Sequence, residues 1–156
     1  MITLCLDQAS RTTGYAVFDG QTLIKVDKFT LTSPNFGKRI NQFRKKIKEL
    51  IEEYKAEQVF FEEIQLQQNV DTFKKLAMIY GAALSLMEEL NLPYEIISSN
   101  TWKSKCKIKK TVRETEKQAA QKFVVNQYGL SVTEDEADAI CIGYSQLMKP
   151  DHNWAN

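Results

Sequence analysis

Two adjacent glutamates, Glu62 and Glu63, stand inside the run Val59-Phe60-Phe61-Glu62-Glu63-Ile64, whose other residues all belong in a hydrophobic core. Carboxylates are rarely buried without a partner, because stripping water from a charge costs more than the apolar contacts around it contribute. A strand of this composition must therefore deliver an acid to a site that needs one. Side chains alternate across a strand, so only one of the two glutamates can join any single site. Other acids sit in similarly unfavourable places. Asp7 closes the apolar run Ile2 to Leu6, and Asp135 and Asp138 lie one turn apart where a helical pattern begins, so their carboxylates can point the same way. Taken singly, Asp7 can be a turn former and Asp135 a favourable charge in the first turn of a helix. Taken together, the four positions suit one shared site. Crowded carboxylates repel one another, a divalent cation relieves that repulsion, and an all-oxygen shell suits Mg²⁺ or Mn²⁺.

The rest of the sequence supplies a frame for such a site. Ile2 to Leu6 reads as a strand, and Tyr15 to Phe18, Asp19-Gly20 and Thr22 to Val26 read as a hairpin with a tight turn, so the first strands are antiparallel. From Lys38 to Tyr54 the residues Ile40, Phe43, Ile47, Leu50, Ile51 and Tyr54 recur at helical spacing and predict a helix over one sheet face. Gln58 to Ile64 suits a buried central strand. Asp71 to Leu90 predicts a second helix, stopped by Pro93; its apolar residues spread too widely for one face, so a dimer contact or a neighbouring helix must cover the remainder. Tyr94 to Ile97 reads as another strand, with the lysine-rich stretch after it as a loop. Thr111 with Glu114, and Thr133 with Glu136, form S/T-x-x-E boxes that open helices, the second leading into Ala137, Ile140, Cys141, Tyr144 and Met148. No repeat or linker breaks the 156 residues, which suit a single α/β or α+β domain, 1–156, with a flexible tail over 149–156.

Charge and cysteine usage narrow the setting. The formal net charge is only +1, but between Thr101 and Phe123 eight bases, including Lys103, Lys105, Lys107, Lys109, Lys110 and Lys117, face only Glu114 and Glu116. That distribution builds a local positive field. Cys5, Cys106 and Cys141 are far apart and form no C-x-x-C pair, which predicts free thiols in a reducing, cytoplasmic setting. The sole histidine, His152, lies in the tail and has no partner for zinc. No apolar run approaches the roughly 20 residues of a membrane span. The N-terminus has no basic region and no cleavage site, so it does not read as a signal peptide.

Three stretches carry a resemblance to a known family. DQASRTTGYAVF, from Asp7, closely resembles the first motif of RuvC-type Holliday junction resolvases; FEEIQLQQNVDTFKKLAMIYG resembles the second; DEADAICIGY resembles the third, Asp-x-x-Asp-Ala. Order and spacing extend the likeness over nearly the whole chain. It implies an RNase H-like fold, a central mixed sheet with antiparallel first strands flanked by helices. It selects Glu62 over Glu63, and it places Asp7, Glu62, Asp135 and Asp138 on Mg²⁺ ions, with Mn²⁺ a substitute. Lys103 and Lys117 stand where the family has lysines near the scissile phosphate. Ser10 and Arg11 fall near an approaching phosphate, Gly14 would permit the tight return into the second strand, and Lys105, Lys107, Lys109 and Lys110 would hold the DNA backbone.

The implied activity is two-metal hydrolysis of branched DNA, four-way junctions and possibly forks, to 5′-phosphate and 3′-hydroxyl ends by a homodimer. One position departs from the pattern. Gln65 stands where cellular members of the family carry an aromatic residue that stacks on bases, which implies weak sequence preference. Short length and divergent loops suggest a bacteriophage-encoded member, acting in the cytoplasm of a bacterial host. Two rival readings are an RNA or RNA:DNA hybrid nuclease of the same fold and a non-catalytic branched-DNA-binding protein; the intact acidic set disfavours the second.

Overall fold

A computed structural model describes residues 1–66, 68–109 and 112–148. The expected Thr111 cap, Lys110, His152 and the tail 149–156 lie outside the described residues. The elements run in the order β1 (Ile2–Asp7), β2 (Thr12–Asp19), β3 (Thr22–Thr30), α1 (Phe36–Tyr54), β4 (Gln58–Glu62), α2 (Val70–Leu90), β5 (Tyr94–Ile97), α3 (Ser99–Lys105), α4 (Arg113–Tyr128) and α5 (Glu134–Leu147). The five strands form one sheet in the order β3-β2-β1-β4-β5. β1, β2 and β3 pair antiparallel, with Gly20 at positive φ (59°) in the hairpin turn, while β1/β4 and β4/β5 pair parallel. This is the mixed α/β sheet expected of the RNase H-like fold, with antiparallel first strands and flanking helices.

The pleat divides the core into two layers. On one face Leu4, Leu6, Val17, Val59 and Phe61 pack with Phe43, Ile47 and Leu50 of α1 and Ile79, Ala83 and Leu86 of α2. On the other, Cys5, Ala16, Phe18 and Phe60 pack with Trp102 of α3, Ala120 and Val124 of α4, and Ala137, Ile140 and Cys141 of α5. Thr133 and Glu136 make the full capping box expected at the start of α5. Helix α1 covers part of the broad apolar surface of α2, but Val70 and Met78 remain exposed. All three cysteines are free and buried. Among the described residues no helix is long and apolar enough to cross a membrane.

Three expectations need correction. The lysine-rich stretch after β5 is not all loop: Ser99–Lys105 is helical, capped by the Ser98 hydroxyl on the Thr101 N–H (3.2 Å), because Trp102 and Cys106 drop into the core one turn apart. Strand β4 ends at Glu62, so Glu63 and Ile64 lie beyond it. Helix α4 starts at Arg113 with Val112 as its N-cap. Gly14 makes no turn; it lies within β2 opposite Asp7. A Cβ there would stand 2.1 Å from the Asp135 carbonyl oxygen, so glycine lets the first turn of α5 press directly on the sheet. Gly143 does the same further along α5, where a Cβ would meet Phe18 at 2.3 Å.

Candidate active site

Parallel pairing of β1 with β4 ends with Leu6 opposite Phe61, so Asp7 and Glu62 emerge side by side from adjacent strand ends. Glu62 shares the sheet face of Phe60, toward α3 and α5. The close approach at Gly14 brings the start of α5, with Asp135 and Asp138, to the same place. Asp7, Glu62, Asp135, Asp138, Lys103 and Lys117 all line one cleft of about 510 Å³. Glu63 borders this cleft, but its charge acts on Tyr80 of α2, across the sheet.

The electrostatics show how strained this group of acids is. Burial lifts the Asp7 carboxyl well above the usual range, and the charges of Glu62, Asp138 and Asp135 lift it further; Asp7 and Glu62 share a side-chain hydrogen bond. Burial also raises Glu62, opposed by Asp7, Lys103, Trp102 and Lys117. Asp138 is pushed up to about 7, first by burial and then by Glu62, against the pull of Lys117. Protons thus offset repulsion that a divalent cation would offset instead. The donors are hard carboxylate oxygens, the chemistry that Mg²⁺ or Mn²⁺ requires. Among the described residues no three acidic, histidine or cysteine side chains are drawn together tightly enough to enclose an ion, so it is the donor set and its mutual repulsion that fit the metal.

Both lysines are engaged with carboxylates. Lys103 Nζ lies 3.0 Å from Glu116 Oε2, and Lys117 Nζ lies 3.0 Å from Glu134 Oε2. Each also bears on Glu62 and Asp138, so two cations stand at the edge of the acidic group. Gln65 lines the cleft, with its Nε2 donating to the Ser99 hydroxyl. Ser10 and Arg11 follow Asp7 in the β1–β2 loop but do not line the cleft. The Ser10 carbonyl accepts a 3.2 Å hydrogen bond from the buried Arg39 side chain, and the Arg11 carbonyl accepts from the Leu31 N–H at 2.7 Å. Lys105, Lys107 and Lys109 are exposed and also outside the cleft; Lys107 and Lys109 border a separate groove beside α4, with Lys122.

Sequence reasoning missed Gln8, Trp102 and Glu116, all in or beside the cleft. Trp102 is almost wholly buried, and its indole N–H has no hydrogen-bond partner of normal geometry, although it faces Glu62 closely enough to favour the carboxylate. A lone tryptophan among lysines was the available signal for it. Gln8 offered the signal of a polar residue directly after the first strand's acid.

A family model described as "Crossover junction endodeoxyribonuclease RuvC" matches residues 3–145. The crossover junction endodeoxyribonuclease RuvC of Citrifermentans bemidjiense is 34% identical over 98 residues, a stretch that spans 60% of each chain. That of Methylococcus capsulatus is 24% identical over 147 residues, covering 92% of this chain and 88% of the relative. Among solved structures, T. thermophilus RuvC in complex with a Holliday junction substrate superimposes with a TM-score of 0.74 at 19% identity, over 93% of this chain and 92% of that one.

Proposed function

Since the chain belongs to the RuvC family of crossover junction endodeoxyribonucleases, we propose that it is a Mg²⁺-dependent endonuclease that cuts branched DNA, four-way junctions included, leaving 5′-phosphate and 3′-hydroxyl ends. The observation that carries this reading is the convergence of Asp7, Glu62, Asp135 and Asp138 with Lys103 and Lys117 on one cleft. Those four acids would hold two Mg²⁺ ions, or Mn²⁺ in their place, and the ions when bound supply Lewis acidity to the attacking water and to the leaving oxygen. The acids of the strand ends and of α5 fix the site from rigid elements. Lys117 and Lys103, exchanging Glu134 and Glu116 for the substrate, place positive charge where it grows on the phosphate.

Ser10 and Arg11 on the adjacent loop, and Lys105, Lys107, Lys109 and Lys110, would contact the DNA backbone without reading its sequence. Gln65 has no aromatic face to stack on a base, so forks should be cut beside four-way junctions, with weak sequence preference. The exposed apolar residues of α2, Val70 and Met78, suit contact with a second copy, giving a homodimer with two equivalent sites. Organisation as one domain over 1–156, cytoplasmic location and bacteriophage origin belong to the same proposal. The test is a panel of labelled four-way junction, fork, linear duplex and RNA:DNA hybrid with Mg²⁺. Cleavage of the branched DNAs alone is expected; preferential cleavage of the hybrid, or binding of junctions without any cleavage, would overturn the reading.

A further inference from the structure

Gln8, the residue after Asp7, is buried, and its amide grips the backbone of Glu62 twice. Nε2 donates to the Glu62 carbonyl at 2.5 Å, and Oε1 accepts from the Glu62 N–H at 3.2 Å. Main-chain pairing of β1 with β4 has already stopped one residue earlier, at Leu6 and Phe61. A carboxamide offers one acceptor and N–H donors at its tip, the same pair of functions that a peptide unit offers a neighbouring strand. The Gln8 side chain therefore continues the β1–β4 ladder by one rung after the backbone of β1 has turned away. On the other side of β4 the next residue is secured by backbone, with the Glu63 N–H donating to Ile97 at 2.9 Å. Toward β1, the two Gln8 bonds take that part.

We propose that Gln8 is a positioning residue that fixes the Glu62 backbone, and through it the Glu62 carboxylate, beside Asp7. The inference rests on the nuclease reading above, since it assigns Gln8 to the metal-holding pair of that site. Its chemistry suits the task. Because Gln8 binds the main chain of Glu62, both Glu62 carboxylate oxygens stay available to the cleft, and because the amide is neutral it adds no charge to a crowded acidic group. Asparagine is one methylene shorter and cannot span the same gap; methionine fills the space but makes neither bond.

The test compares wild type with Gln8→Ala, Gln8→Asn, Gln8→Met and Gln58→Ala. Gln58 is the control, because its Nε2 donates to the Thr3 hydroxyl (2.8 Å) between the same two strands at their far end. Mn²⁺ affinity is read from the electron paramagnetic resonance of the free ion, alongside four-way junction affinity and single-turnover cleavage across Mn²⁺ concentrations. Loss of a residue that orients a ligand typically weakens metal binding by about 10- to 100-fold. That weakening is expected in all three Gln8 variants, with DNA affinity unchanged and cleavage recovering at high Mn²⁺, while Gln58→Ala binds Mn²⁺ as wild type does. Should Gln8→Ala fail to fold, the volume-preserving Gln8→Met carries the comparison. Wild-type Mn²⁺ affinity in Gln8→Met, or equal weakening in Gln58→Ala, overturns the assignment. Wild-type protein that binds Mn²⁺ but cuts no DNA overturns the nuclease reading instead, and the affinities then decide Gln8 alone.

Discussion

Asp7, Glu62 and Asp138 hold buried carboxyls whose neighbours are more carboxyls, and their effect on stability has a definite sign. Asp138 is raised to about 7 from an ordinary 3.8, by burial and then by Glu62. Below pH 3.8 both folded and unfolded chains keep this proton; between there and about 7 the unfolded chain releases a proton that the folded chain retains, so stability falls as pH rises through that window. Asp7 and Glu62, also raised, act in the same direction. In a chelating buffer the protein should melt at higher temperature at pH 5 than at pH 8, Asp138→Asn should flatten the difference, and Mg²⁺ at pH 8 should restore stability. A melting temperature that rises from pH 5 to pH 8 without metal would contradict the picture. The same residues should divide by face in a cleavage assay. Asp7→Asn, Glu62→Gln and Asp138→Asn are expected to lose cleavage while retaining branched-DNA binding, whereas exposed Glu63→Gln should be far milder, because successive side chains leave a strand on opposite faces. Dead Glu63→Gln beside active Glu62→Gln would reverse the strand register.

Helix α5 is where element packing decides the site, because Asp135 and Asp138 reach the cleft only if its first turn lies against β2 at Gly14. Gly14→Ala forces a Cβ to within 2.1 Å of the Asp135 backbone oxygen, an overpacking of the kind that costs about 1–3 kcal/mol. A lower melting temperature and a loss of cleavage larger than that destabilisation explains are expected, read by thermal melts and single-turnover rates at a temperature where the variant is folded. Much of this element layer was legible in advance. The hairpin, α1, α2 and the Thr133 capping box announced themselves through turn residues, helical spacing and a cap, and the acids were visible because each interrupted an apolar pattern. What escaped was tertiary. Helix α3 has seven residues, too few for a periodic signal among its lysines, and depends on Trp102 being buried. The role of Gly14 depends on a helix more than a hundred residues away in sequence, and Gln8 on a strand 54 residues on. The lysines at the end of α3 and after it pose their own test. Neutralising Lys105, Lys107, Lys109 and Lys110 should weaken binding to every branched DNA and lower the slope of log affinity against log salt by up to about 0.9 per lysine. Lys117→Ala should instead slow cleavage with little change in affinity. A salt slope unaltered in the quadruple variant would place this segment away from DNA.

For the molecule as a whole, the sheet and its helices bring four acids and two lysines from five separate elements into one cleft, and in the proposed homodimer the substrate would be distinguished by how two such clefts face it. A single site would nick any strand that reached it. Two sites related by a two-fold axis would meet the two equivalent strands of a four-way junction at matching positions. The most direct measurement is therefore single-turnover cleavage of a four-way junction labelled in turn on each strand, with Mg²⁺ or with chelator, for wild type and Asp7→Asn. Paired nicks at symmetric positions on opposing strands, with 5′-phosphate ends, present only in wild type with Mg²⁺, are the expected result. Cleavage that persists in chelator or in Asp7→Asn, or nicks scattered alike over junction and linear duplex, would contradict the account.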